Sequence, residues 1–315
     1  MIVTLTPNPS LDRALDVHRL VPGEVVRATA VHVHPGGKGT NVSRALVRHG
    51  VASRAVLPVG GADGERLVEL LAAQGVPVVA VPVAGDTRTN ITLAERSGTT
   101  TKVNAPGATL SAAEVDALLG ALAAALDGAT GLVAAGSLPS GATDDLFVRA
   151  AALAADRGIP FALDTSGAPL ERSARAGGLD LLKPNDDELA ALVGRPLTTV
   201  GDVVDAAREV IAAGTRYVLV SLGAHGALLV TGERTWWAGG EPLVPLSTVG
   251  AGDMTLAGFL SADGPAADRL RTAVAWGRAA VRMPGTAVPD PAAVDLAAVR
   301  VLEAPDPRLT PKELL

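Results

Sequence analysis

An α/β fold with a mostly parallel central sheet is the architecture this sequence predicts, and three observations predict it. Short, continuously apolar runs recur along the chain, as in strands covered on both faces. Helical patterns lie between most of them. At 315 residues, 48% of them apolar, the chain can bury a substantial core, and a prior of about 150 residues per domain would allow two domains.

Taken in order, Ile2–Leu5 is an apolar opening strand. Arg13 to His34 has little helical periodicity and many β-branched residues, and Val31 and Val33 alternate with His32 and His34 as strand residues do. Pro35-Gly36-Gly37-Lys38-Gly39 is a glycine turn opening a helix, since Val42, Ala45 and Leu46 follow at helical spacing. Ala55–Val59 is the next strand and Gly64–Gln74 the next helix. Thr87 to Val103 reads as a hairpin turning near Arg96-Ser97-Gly98. Helices over Ala112–Leu126, Thr143–Arg157 and Val200–Ala213 then interleave with strands over Gly131–Ala135, Phe161–Asp164, Leu179–Lys183, Tyr217–Ser221 and Ala227–Val230. Trp236 and Trp237 suit a β-hairpin. Pro242–Ser247 reads as a strand, being apolar and extended in character, and Met254, Ala257 and Leu260 mark a helix after it. Beyond Glu303, three prolines (Pro305, Pro307 and Pro311) suggest a loosely attached end.

Only 2% of the residues are aromatic, so the core must be built from Ala, Val and Leu. The net charge of −6 points to neither nucleic acid nor a membrane surface as partner. Without cysteine the chain has neither a disulfide framework nor thiol chemistry, which suits the cytoplasm. Its longest apolar run, Ala117–Leu126, is about half of what a membrane-spanning helix needs. Met1 leads straight into a strand rather than a signal peptide. The expectation is a soluble cytoplasmic globular protein.

The segment Ser247-Thr248-Val249-Gly250-Ala251-Gly252-Asp253 carries the most chemistry. Gly250 and Gly252 let the backbone approach a ligand and turn free amides outward at the positive end of the following helix, a site for anionic oxygen. Asp253 then lies where a phosphoryl group would sit, able to take a proton from a hydroxyl while the amides stabilise the phosphate under attack. Two commoner glycine loops do not fit. A Walker loop needs Gly-x4-Gly-Lys-Ser/Thr, but around Gly37-Lys38 the first position is His32 and the last Gly39. A dinucleotide fingerprint needs a third glycine where Thr255 stands. On its own, Gly-Ala-Gly-Asp could equally be a tight turn with a capping Asp.

The rest of the chain decides between these readings. Thr6-Pro7-Asn8-Pro9-Ser10-Leu11-Asp12-Arg13 follows the first strand, and the glycine turn of Gly36 to Gly39 continues as Thr40-Asn41-Val42-Ser43-Arg44. Then come Thr87-Arg88-Thr89-Asn90, Gly136-Ser137-Leu138-Pro139-Ser140-Gly141 and Asp164-Thr165-Ser166-Gly167. Lys183-Pro184-Asn185-Asp186-Asp187-Glu188-Leu189 and Ser221-Leu222-Gly223-Ala224-His225-Gly226-Ala227 complete the series. In order and spacing these elements resemble the ribokinase-like (PfkB) sugar kinases, over nearly the whole chain up to about residue 290. Within that family, Asn-Pro-x-x-Asp, Lys-Gly-x-Asn-Val-Ser-Arg and Thr-Arg-x-Asn are most similar to 1-phosphofructokinases, with tagatose-6-phosphate kinases close behind. The resemblance implies a ribokinase-like three-layer sandwich. Residues 1–12, 36–86 and 106–302 would form the α/β core, 13–35 and 87–105 a small β-sheet lid, and 303–315 the loose tail. It also implies a homodimer paired through the lid, ATP and Mg²⁺ as cofactors, and transfer to the 6-hydroxyl of fructose 1-phosphate, giving fructose 1,6-bisphosphate and ADP.

By the same resemblance Asp253 is the catalytic base, kept ionised beside the helix N-terminus, and Gly250, Ala251 and Gly252 form the anion hole. Asn185 and Glu188 match the family's Asn-x-x-Glu motif for nucleotide phosphates and Mg²⁺, the metal held through water. Their spacing equally suits a helix capping box. Lys183, Ser221, Gly223 and Gly226 match positions lining the nucleotide site, where the glycines could equally serve a hairpin turn. On the acceptor side, Asp12, Gly37, Asn41 and Asn90 suit the sugar and its hydroxyls. A phosphosugar also needs cations, for which Lys38 and Arg88 are the candidates, with the Ser137 hydroxyl beside them. Lys102 and Arg27 read as lid surface charges, and His32 and His34 as lid-strand residues without a third metal ligand.

Two positions depart from the family's pattern: Met254, where a small residue is usual, and Ala105, where close relatives often carry an acidic one. Both bear on substrate choice. Tagatose 6-phosphate and fructose 6-phosphate are the alternative substrates, and a catalytically silent sugar-phosphate sensor is the alternative of another class. A dinucleotide oxidoreductase is disfavoured by the missing fingerprint.

Overall fold

A computed structural model describes all 315 residues. The chain opens with β1 (Ile2–Leu5), β2 (Ser10–Val17), β3 (Ala30–Gly36), α1 (Lys38–Arg48), β4 (Ser53–Val59), α2 (Gly61–Ala73) and β5 (Val78–Pro82). It continues through β6 (Arg88–Glu95), β7 (Thr100–Val103), α3 (Ala112–Ala125), β8 (Gly131–Ala135), α4 (Leu146–Ala155), β9 (Phe161–Asp164) and α5 (Ala168–Ala176). The last part holds β10 (Leu179–Leu182), α6 (Asp186–Val193), α7 (Val200–Ala212), β11 (Thr215–Ser221), β12 (Ala227–Val230), β13 (Thr235–Gly239), α8 (Ala251–Ser261), α9 (Ala266–Ala280) and β14 (Arg300–Glu303).

Ten strands make one sheet in the order β14-β13-β12-β11-β10-β9-β8-β1-β4-β5. From β5 to β11 neighbours run parallel, and β12, β13 and β14 add an antiparallel edge. Side chains of a strand alternate between faces, and here both faces are buried. Leu132 and Ala134 of β8 pack with α3, α4 and α7, whereas Val133 and Ala135 pack with α1, α8 and α9. The same division separates Val218 and Val220 from Leu219, and Trp237 from Trp236. Two helical layers around one sheet give the three-layer α/β sandwich that the apolar runs predict.

The two β-branched segments form a second sheet, β3-β2-β6-β7, with β2 parallel to β6 and antiparallel pairing at either edge. Its first two strands span Ser10–Val17 and Ala30–Gly36. Asp12 therefore rides on the small sheet, one residue before the lid segment expected to begin at residue 13. Val31, Ile91 and Val103 stand exposed on this sheet.

Two expectations are corrected. Pro242–Ser247 is not a strand: Pro242 and Pro245 have no N–H to give a ladder, and the segment runs as an irregular strap with Val244 and Leu246 exposed. The end of the chain is not loose. Gly201 and Val200 donate to the carbonyls of Pro307 and Leu309, Arg300 donates to the Leu314 carbonyl at 2.5 Å, and Leu314 is buried in the core. A proline lacks a donor but keeps its carbonyl, and the carbonyls of Pro307 and Leu309 tie the tail to α7. No helix is long and apolar enough to cross a membrane.

Candidate active site

The start of α8 is built for a ligand. Gly250 has φ 79°, in the left-handed region that a glycine enters without strain. No side chain caps this end, the Ala251 amide reaches the Thr248 carbonyl only at 3.4 Å, and the amides of Gly250, Gly252 and Asp253 bond no backbone oxygen. Asp253 lies in the first turn, buried, with Oδ2 accepting from Asn41 Nδ2 at 2.8 Å. Burial pushes the Asp253 carboxyl up to about 6, and the nearby Asp164 charge adds to the rise. The Asn41 hydrogen bond and the ammoniums of Lys38 and Lys183 work against it. Asp253 is mostly a carboxylate at neutral pH, but it titrates well above an ordinary Asp.

Asp164 ends β9 at the sheet's carboxyl end, where ligands of parallel sheets bind. Its Oδ1 accepts from Lys38 Nζ at 2.7 Å and its Oδ2 from Lys183 Nζ at 2.9 Å. Burial opposes the charge of Asp164, but Lys183 and Lys38 hold its pKa below the ordinary value. Burial likewise opposes the charge of Lys38, and Asp164 outweighs it, raising the ammonium's pKa. A Cβ added to Gly252 would lie 3.4 Å from Lys183 Nζ, so this ammonium stands against the turn that opens α8.

The small sheet supplies a polar cluster. In the β2–β6 register Asp12 faces Asn90 and Ser10 faces Arg88. Asp12 Oδ1 accepts from Ser10 Oγ at 2.7 Å and from Asn90 Nδ2 at 3.0 Å. Any side chain at Gly36 would strike that carboxylate, since an added Cβ falls 2.4 Å from it. Arg88 donates to the carbonyls of Ala105 and Asn8, each at 3.0 Å, and Asn8 Nδ2 reaches Ser137 Oγ at 3.4 Å. Arg88 Nε and Asn90 Oδ1 are buried without a protein partner. Such orphaned groups carry a desolvation penalty that a polar ligand would relieve.

On the other side, Asn185 and Glu188 form a reciprocal capping box: Glu188 N donates to Asn185 Oδ1 at 2.7 Å, and Asn185 N to Glu188 Oε2 at 2.9 Å. Asn185 also bridges Ser221, whose amide donates to the Pro184 carbonyl. No group of three acidic or histidine side chains gathers anywhere in the chain. With Asn185 Oδ1 and Glu188 Oε2 engaged in the cap, these two residues would hold a magnesium ion through its waters. Gly223 and Gly226 turn β11 into β12, and a Cβ at Gly226 would fall 2.0 Å from the Ala238 carbonyl, so close backbone approach alone requires that glycine.

All the residues given catalytic, sugar-binding or nucleotide-binding roles from the sequence line one cleft of about 880 Å³ between the large sheet's carboxyl end and the small sheet. Met254 does not: it is buried in the apolar layer beneath α8, so its size leaves the cleft unchanged. His32 pairs with Asp16 at 3.2 Å on the small sheet, and neither it nor His34, Lys102 or Arg27 lines the cleft. Asp164, Asn8, Ser10 and Arg44 were not assigned roles from sequence. Asp164-Thr165-Ser166-Gly167 marked order along the chain, yet only tertiary structure shows its carboxylate between two lysines.

Residues 6–293 match the pfkB family carbohydrate kinases. Among similar proteins, the ATP-dependent 6-phosphofructokinase isozyme 2 of Escherichia coli is 39% identical, covering 90% of this chain and 94% of that protein. The 1-phosphofructokinase of Xanthomonas campestris is 38% identical, with 82% and 83% covered. The solved structure of the tetrameric inhibited form of phosphofructokinase-2 from Escherichia coli superposes with a TM-score of 0.85 at 38% identity, covering 90% of this chain and 95% of that one.

Proposed function

This chain belongs to the pfkB family of carbohydrate kinases, and we propose that it phosphorylates the 6-hydroxyl of fructose 1-phosphate with ATP, giving fructose 1,6-bisphosphate and ADP. The observation that carries the reading is the carboxylate of Asp253, held by Asn41 at 2.8 Å in a helix turn with free amides and the Lys183 ammonium against it. Phosphoryl transfer needs positioning and charge stabilisation more than covalent chemistry. Asp253 Oδ1 takes the proton of the 6-hydroxyl as its oxygen bonds to the γ-phosphorus. The bond from that phosphorus to the β,γ-bridging oxygen breaks, and ADP leaves. The amides of the Gly250, Ala251 and Gly252 turn hold the equatorial oxygens.

Lys183, with Lys38 across Asp164, supplies positive charge to the transferring group. Asp12, Gly37, Asn41 and Asn90 receive the sugar, while Arg88 and Ser137 with Asn8 hold its phosphate. Lys183, Asn185, Glu188, Ser221, Gly223 and Gly226 line the nucleotide side. Magnesium bound through water at Asn185 and Glu188 would screen the ATP phosphates. The small sheet closes over the cleft, keeping water from the transferring group.

The Escherichia coli relative favours a second reading, in which fructose 6-phosphate is the acceptor. Both substrates yield the same bisphosphate, so the product cannot tell them apart. The exposed Val31, Ile91 and Val103 support pairing of two copies through the small sheet, which sedimentation would detect.

The test is ADP release with ATP and Mg²⁺, comparing fructose 1-phosphate, fructose 6-phosphate, tagatose 6-phosphate and fructose. Preference for fructose 1-phosphate supports the proposal. Preference for a 6-phosphate moves the specificity and keeps the chemistry, and binding without turnover would mark a sugar-phosphate sensor.

A further inference from the structure

Arg44 lies on α1, one turn after Asn41, and only 5% of it is exposed. Its Nη1 donates to Asn41 Oδ1 at 3.0 Å and to the carbonyls of Pro35 and Thr286, each at 3.2 Å, and its Nε donates to Gln74 Oε1 at 2.7 Å. A guanidinium is a donor only. It therefore fixes which end of the Asn41 amide faces which way: Oδ1 toward Arg44, Nδ2 toward Asp253. Were the amide reversed, its oxygen would face the carboxylate and repel it.

We infer that Arg44 is a positioning residue for the base: it orients Asn41 so that Asp253 Oδ2 is occupied and Oδ1 is left for the acceptor hydroxyl. Pro35 lies on β3 at the root of the small sheet, Thr286 in the loop after α9, and Gln74 at the end of α2. One guanidinium thus sets the base by reference to the lid strand and to two parts of the core. No bound group is needed for this, and the same contacts explain why a charge is kept so deeply buried. The inference rests on the reading of Asp253 as base.

The charged groups acting on Asp253 are Lys38 and Arg44 from α1, Asp164 from β9 and Lys183 after β10. Losing Arg44 removes one positive neighbour and frees the Asn41 amide to turn over, and both changes raise the carboxyl's pKa. The experiment is steady-state kinetics across pH for Arg44→Lys, Arg44→Met and Asn41→Leu, with the Arg44→Lys/Asn41→Leu pair as a double-mutant cycle. The expected results are a kcat about 10- to 100-fold lower in Arg44→Met, an unchanged KM for ATP, partial rescue by lysine, and an acid limb displaced to higher pH. In the cycle, Arg44→Lys costs little once Asn41 is gone. If Arg44→Met does not fold, Gln74→Leu loosens the same guanidinium and should move the limb in the same direction by less.

Multiplicative losses in the cycle with an unmoved acid limb would overturn the inference, leaving Arg44 a packing residue. Asp253→Asn is run alongside: if that variant keeps full activity, the base assignment itself fails, whatever Arg44 does.

Discussion

Lys38 and Lys183 grip opposite oxygens of Asp164, at 2.7 and 2.9 Å, so that one buried carboxylate holds two ammoniums beside the opening turn of α8. Lys38, the lysine of the first glycine turn and a candidate for the substrate's phosphate, is thereby also tied to a carboxylate at the carboxyl end of β9.

Removing that carboxylate should be costly. Asp164→Asn leaves the buried Lys183 ammonium without its anion beside the half-exposed Lys38; breaking a buried ion pair costs about 3–5 kcal/mol, and solvent screens the Lys38 share of it. Because the folded pKa of Asp164 is depressed, its stabilising effect is present above the unfolded value and is lost as pH falls through the folded one. Urea unfolding at pH 7 should show the variant less stable, with the difference closing in acid. Equal stability at pH 7 would show that the lysines do not depend on it.

Asp253 has the opposite sign. Its pKa is raised to about 6 from 3.8, so the folded state binds the extra proton and stability falls as pH rises between those values. Asp253→Asn should therefore be more stable than the wild type above pH 6 by up to roughly 3 kcal/mol, with the gain gone below the unfolded value. Thermal melts from pH 4 to 8 check this. In the wild type, kcat/KM should fall about tenfold per pH unit on the acid side of that titration.

Arg88 carries a buried Nε without a partner and two bonds to loop carbonyls. Arg88→Met should raise KM for the phosphosugar by about 10- to 150-fold, as loss of a charged hydrogen bond does, while KM for ATP stays the same. Turnover of unphosphorylated fructose should hardly change. Equal losses for both sugars would detach Arg88 from the phosphate.

The packed tail gives a stability prediction away from the cleft's centre. Leu314 is 3% exposed within the main apolar cluster, so Leu314→Ala should cost about 2–4 kcal/mol in urea unfolding. A loose tail would give almost none.

Much of this was legible in the sequence for physical reasons. Runs such as Gly131–Ala135 and Tyr217–Ser221 are apolar at consecutive positions because both sheet faces are covered. The glycines at 37, 250 and 252 mark turns where backbone must come close to something. What stayed hidden depends on distance along the chain. Asp164 looks like any strand-end aspartate until Lys38 and Lys183 arrive from 126 residues before it and from the next strand. Arg44 reads as an ordinary helix arginine until Pro35, Gln74 and Thr286 surround it. The tail misled because proline signals a missing donor, whereas its attachment uses carbonyls.

The role of Asp253 as base is tested most directly by single-turnover transfer from ATP to the phosphosugar in Asp253→Asn, with binding of both ligands measured by calorimetry. Both ligands should still bind, and the transfer rate should fall by about 10²–10⁴-fold. Transfer at the wild-type rate with both ligands bound would contradict that role, because the proton would then be leaving by another route.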